Sequence, residues 1–137
     1  MADAVAIHTL FNGIHRGERV LELCLTNLSD GSGESAVNKL DISTLRPAVD
    51  QFDVVDIQYS VFGMAVALYW DHTTDEPIAV LQGSGRLSFN ECPGGGLVDP
   101  QGPAVGADLL LTTTGHSAAD SYTITLKLRL RNSTVGV

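Results

Sequence analysis

The chain has 137 residues, of which 44% are hydrophobic and only 18% charged, and its 16 acidic against 8 basic residues give a formal net charge of -8. That length suits one domain burying roughly two-thirds of its unfolded surface, and the apolar content excludes a disordered chain. The acidic balance and scattered Lys and Arg argue against a nucleic-acid partner, because phosphate binding draws on clustered cations that release counterions.

Taken in chain order, residues 1–10 lack the basic and apolar regions of a signal peptide, and no later run approaches the roughly 20 apolar residues of a membrane span. No membrane partner is expected, and synthesis in a reducing cytoplasm is. Cys24 and Cys92 are too few for a disulfide framework and lie outside any CxxC pair, so both are expected as free thiols. Residues 1–19 show little core pattern and read as an N-terminal segment that could serve as an extended arm.

Residues 20–26 put Leu21, Leu23 and Leu25 on one face with period two, which predicts a strand. It is expected to end in the turn-rich stretch 27–33, where Asp30-Gly31 suits a tight reversal. A short strand is predicted over 35–40. Pro47 then interrupts, and at most a helical turn is expected over 43–50.

Residues 54–61 place Val55, Ile57, Tyr59 and Val61 on one face, and residues 64–70 do the same for Met64, Val66, Leu68 and Trp70. With Phe62-Gly63 between them, the two runs predict a hairpin whose second strand is central. A polar loop over 71–77 leads to a strand over 78–82, bent by Gly83-Ser84-Gly85. Residues 90–106 include Pro93, Gly94, Gly95, Gly96, Pro100, Gly102 and Pro103 and read as one long surface loop. Shortening that loop is expected to spare folding.

A strand is predicted over 109–114 and a turn over 115–120. The cleanest strand, 121–131, follows, with Tyr122, Ile124, Leu126, Leu128 and Leu130 inward and Lys127, Arg129 and Arg131 sharing a solvated or ion-paired outer face. Seven or eight such strands and no helical period predict an all-β single domain, an antiparallel β-sandwich or jelly roll over 1–137.

Chemistry-bearing constellations are sparse. His116, Ser117 and Asp120 lie together in one predicted turn, with no G-x-S-x-G elbow and no third group to hold a base, so no enzyme is expected. His72 with Asp71, Asp75 and Glu76 is the densest group of candidate metal ligands. Its spacing matches neither an EF-hand nor H-E-x-x-H, so a solvated loop is expected; a loosely held Ca²⁺, joined by Asp99 or Asp108, is the alternative. Gly94-Gly95-Gly96 lacks the Lys-Ser/Thr pair and following helix of a phosphate loop, and no cofactor is expected. Trp70 closes an apolar strand and belongs in the core rather than on a sugar-stacking surface.

Three stretches carry a resemblance: LTNLSDGSGESAV at 25–37; DIQYSVFGM at 56–64 with LYWD at 68–71; and GGLVDP at 95–100 with YTITL at 122–126. Together they resemble a family of small virion proteins of tailed bacteriophages. The resemblance implies a structural protein, above all a capsid decoration or cement protein that binds the major capsid protein on the head exterior. It implies a homo-oligomer, with a trimer favoured, that is made in the bacterial host cytoplasm and ends in the virion. A tail, collar or head-tail joining component is the alternative within that class, and a sugar-binding β-sandwich module the alternative outside it. Contacts are expected from the parts with least core pattern, namely Pro93, Gly94, Gly95, Gly96, Leu97 and Pro100 in the long loop and Leu10 and Phe11 near the N-terminus.

Overall fold

Alternation of apolar and polar side chains decides which segments become strands and which way they face. The computed structural model describes residues 4–12, 20–42, 51–72, 74–89, 96–97, 108–115 and 117–131. Strand accounts for 81% of these residues and none is in a helix. The strands are β1 (Ala4–Asn12), β2 (Val20–Asp30), β3 (Val37–Leu40), β4 (Gln51–Trp70), β5 (Glu76–Ser88), β6 (Leu109–Thr114) and β7 (Ala118–Arg131). The residues expected to hold a helical turn, 43–50, lie outside the described ones.

The expected all-β, antiparallel class holds. The strands form one sheet in the order β1-β2-β7-β4-β6-β3, with β5 on β4, and this sheet is nearly closed into a barrel. Its interior is lined as the alternation demands. Leu21, Leu23 and Leu25 of β2 are buried against Tyr122, Ile124, Leu126, Leu128 and Leu130 of β7. Burying each such side chain contributes about 1.5–3 kcal/mol over leaving it exposed.

The expected hairpin over 54–70 is instead one continuous strand, and this is the main correction to the sequence reading. Residues 51–62 of β4 pair with β7 and residues 65–70 pair with β6, while β5 follows the other edge along both halves. Two irregularities keep the inward face inward. Val55 is an extra residue opposite Leu128 and Lys127 of β7, so burial passes from Phe52 and Val54 to Ile57 and Val61. At Phe62-Gly63 a second slip passes it to Met64, Val66, Leu68 and Trp70. Gly63 sits at φ +80°, where a bulge needs glycine as much as a turn does. A slip in the period-two pattern looks the same for either cause, and the flanking partners decide which one is realised.

Other boundaries move for similar reasons. β2 runs on to Asp30 because Asn27 and Ser29 are buried and keep the alternation going. β5 continues through Gly83-Ser84-Gly85, with Gly83 opposite Val61 and Gly85 leaving room for the Tyr59 ring. Residues 4–12 form β1, paired with β2 from Ala4↔Leu28 to Asn12↔Leu21. Its own pattern is dilute because an edge strand needs apolar side chains along only part of its length. Trp70 lies in the core as expected: its ring centroid is 6.1 Å from that of Phe52, and its Nε1–H donates to the Phe52 carbonyl oxygen at 3.2 Å.

Candidate functional site

A buried polar cluster lies where β2, β3, β6 and β7 come together. Asn27 of β2 stands opposite Tyr122 of β7, so both side chains point to the interior. Lys39 is the extra residue of a bulge between Asn38 and Leu40 in β3, and that bulge turns its side chain inward. Glu34, in the connection from β2 to β3, lies between them. Its Oε1 accepts from Asn27 Nδ2 at 2.8 Å and from the Tyr122 hydroxyl at 2.5 Å, and its Oε2 is paired with Lys39 Nζ. Backbone contacts fix the carboxylate's origin: Glu34 N–H donates to Thr113 Oγ1 at 2.9 Å, and Thr113 N–H donates to the Glu34 carbonyl at 2.9 Å. All five residues are less than a tenth exposed. Sequence reasoning missed this cluster, because a Glu in a Gly/Ser turn and a Lys in a four-residue strand both read as surface residues.

A second buried charge lies at the other end of β4. Asp53 is opposite Arg129 on the outer face, and Arg129 Nη2 and Nε donate to Asp53 Oδ2 at 2.6 and 3.2 Å. Asp53 is nonetheless fully buried, because Gly96 and Leu97 cover it. Leu97 makes a two-way bridge with Val54, N–H to carbonyl in both directions at 2.7 and 3.0 Å, and packs against the core. Gly96 packs closely there: an added Cβ would lie 3.3 Å from the Asp53 Cβ and 3.4 Å from the Val54 carbonyl oxygen, so the neighbours would have to give by a few tenths of an ångström. These two residues are therefore tied into the body, which corrects the expectation that they stand in a surface loop; the other residues of 90–106 lie outside the described ones. Of the other expected contact residues, Leu10 and Phe11 lie in β1, while Pro93, Gly94, Gly95 and Pro100 lie outside the described residues.

The outer face of β7 is the expected ion-paired one at Arg129, and Lys127 stands in register between Glu22 and Asp56. Asp56 accepts from Arg86 Nη2 at 2.5 Å and from Nε at 3.1 Å. With Gln58 and Thr125 these side chains line a shallow polar cleft of about 210 Å³.

The acidic loop is held by its own backbone. Asp71 N–H donates to the Asp108 carbonyl at 2.9 Å, His72 N–H donates to Asp75 Oδ1 at 3.1 Å, and Glu76 already belongs to β5. Both carboxylate oxygens of Asp108 are engaged outside the loop, accepting from Ile42 N–H at 3.0 Å and from Asn38 Nδ2 at 2.9 Å. Among the described residues no three His, Cys, Asp or Glu side chains converge on a point that could hold a metal. Loss of hydration, and then the charges of Asp75 and Asp108, push the Asp71 carboxyl above its ordinary value. Ser117 and Asp120 build a turn, Ser117 N–H donating to Asp120 Oδ2 at 2.7 Å and Asp120 N–H to the Ser117 carbonyl at 3.1 Å.

Large apolar side chains stand out from the body on three strands. Phe62 of β4 is 70% exposed, Val80 of β5 67% and Leu28 of β2 56%. Leu28 and Phe62 flank Ser121 of β7 on the same outer face. Beside Phe62 lies an open depression of about 390 Å³, lined in part by Gly63, Ala65, Gln82, Gly83 and Thr114. Val5 and Ile7, about half exposed, continue the interior stripe of Asn27 and Leu25 to the end of the sheet. No protein-family model, curated protein or solved structure matched this chain.

Proposed function

We propose that the chain is a structural protein of a bacteriophage virion, and specifically a decoration protein that binds neighbouring copies of the major capsid protein on the head exterior. The observation that carries this reading is the placing of Leu28, Phe62 and Val80 on strands rather than on loops. Apolar groups held out by a stiff sheet lose little freedom on docking, which is the economy a repeated contact surface needs. Many weak contacts over a shell act together through avidity, and binding that favours the assembled shell stabilises it by mass action.

The half-exposed Val5 and Ile7 at the β1 end of the sheet suit contact between copies, and we place a trimer there. The protein is made in the host cytoplasm, works without turnover and ends in the virion. Copy number in purified particles tests the reading. Hundreds of copies per particle are expected; a dozen or fewer would move the protein to the tail or neck, and none would overturn the virion role.

A second reading rests on Phe62, whose exposed ring beside Gln82 and Thr114 offers a stacking face with polar neighbours. Under it the domain is a sugar-binding module. Glycan-array binding abolished by Phe62→Ala would favour this reading, and a blank array would remove it.

A further inference from the structure

The geometry of the buried polar cluster assigns to Lys39, Asn27 and Glu34 a self-catalysed modification, an intramolecular amide between Lys39 Nζ and Asn27 Cγ. The inference goes beyond the virion reading and stands whether or not that reading holds.

The cluster contains the three chemical parts such a bond needs. Lys39 is an amine nucleophile, Asn27 a carboxamide electrophile, and Glu34 touches both, Lys39 Nζ through Oε2 and Asn27 Nδ2 through Oε1 at 2.8 Å. A carboxylate that bridges an amine and the nitrogen to be expelled is placed to carry a proton from one to the other. Both reactants are buried, which holds them at high effective concentration and excludes the water that would compete as nucleophile. Tyr122 and Thr113 act as positioning residues, the first through its hydroxyl on Oε1 and the second through the Glu34 backbone.

The step balances within the chain. Glu34 accepts a proton from the Lys39 ammonium, the Nζ–Cγ bond forms, and the Cγ–Nδ2 bond of Asn27 breaks as Glu34 returns the proton to the departing nitrogen. The second Nζ proton leaves with that nitrogen, so an ammonium ion departs and the charge is conserved. No oxidant or reductant takes part. Asn27 is in β2, which pairs with β7, and Lys39 is in β3, which pairs with β6, so the amide would tie these two strands together across the connection that carries Glu34.

Mass spectrometry of the full folded chain tests this directly. The amide lowers the intact mass by about 17 Da, one ammonia, and closes a ring from residue 27 to residue 39. Cleavage after Glu34 opens that ring, so the segment ending at Glu34 and the segment beginning at Ser35 must remain joined. Lys39→Met and Glu34→Gln are expected at full mass. Asn27→Asp is expected to rescue the same link with loss of water, about 18 Da. A wild-type chain at full mass, or one whose two segments separate after cleavage, overturns the inference without reference to any variant. So does a 17 Da deficit that survives in Lys39→Met.

Discussion

Replacing Gly63 by alanine probes the bulge that keeps β4 a single strand. Gly63 has φ +80°, and a side chain in left-handed backbone costs about 1–2 kcal/mol. The new Cβ would also overlap the Asp120 carboxyl group, which accepts the Ser117 N–H. Displacing it gives up a solvent-exposed hydrogen bond worth about 1 kcal/mol. The sum is about 2–3 kcal/mol, or a fall in Tm of roughly 6–15 °C for a domain of this size.

Urea unfolding of the single mutants and the Gly63→Ala/Asp120→Ala double mutant separates the two parts. Without the Asp120 carboxylate only the backbone cost remains, so the cycle should show about 1 kcal/mol of coupling. A cost for Gly63→Ala below about 0.5 kcal/mol, or no coupling, would refute the reasoning, because a chain reversing at Phe62-Gly63 would not bring Gly63 against β7.

Three further outcomes follow from buried and loop charges. Arg129→Met should destabilise by about 2–4 kcal/mol in chemical denaturation, because it leaves Asp53 buried without its cation. Replacement of 90–106 by a short linker should cost about 1–3 kcal/mol in urea unfolding, since it removes the Val54 bridge and uncovers Asp53; a variant as stable as wild type would contradict the tie described above. Asp71→Asn should be neutral to stabilising near pH 7. The Asp71 carboxyl is raised in the folded state, so folding takes up protons between its ordinary pKa of 3.8 and the raised value, and stability is lost as pH rises through that window. The advantage of Asn over Asp should therefore vanish below pH 3.8, and thermal melts across pH 3–7 check it.

How far the fold could be read in the sequence depended on whether burial left a period-two trace. β7 was legible from Ser121 onward, because five consecutive inward positions are apolar and every one is buried, but its first three residues, 118–120, read as part of a turn and belong to the strand. β2 was legible up to Thr26, beyond which Asn27 and Ser29 are polar and only their partners make them interior. β4 was legible as two runs but not as one strand, since residue pattern alone cannot tell a bulge from a reversal. The exposed Phe62 was hidden by the same ambiguity: in a turn its exposure is ordinary, whereas on a continuous strand it is a surface feature. The Glu34 cluster left no trace, because its members are polar, fall in four strands and the connection between β2 and β3, and meet only when β3 pairs with β6.

Docking of this domain on a capsid through the apolar side chains that its sheet holds out, as proposed above, is decided by residue-resolution electron microscopy of the particle. Density for the described strands is expected at repeated positions on the outer shell, with Phe62, Leu28 and Val80 against capsid subunits and Val5 and Ile7 between copies. A shell bare of this domain, or one on which Phe62 faces solvent in every copy, would contradict it.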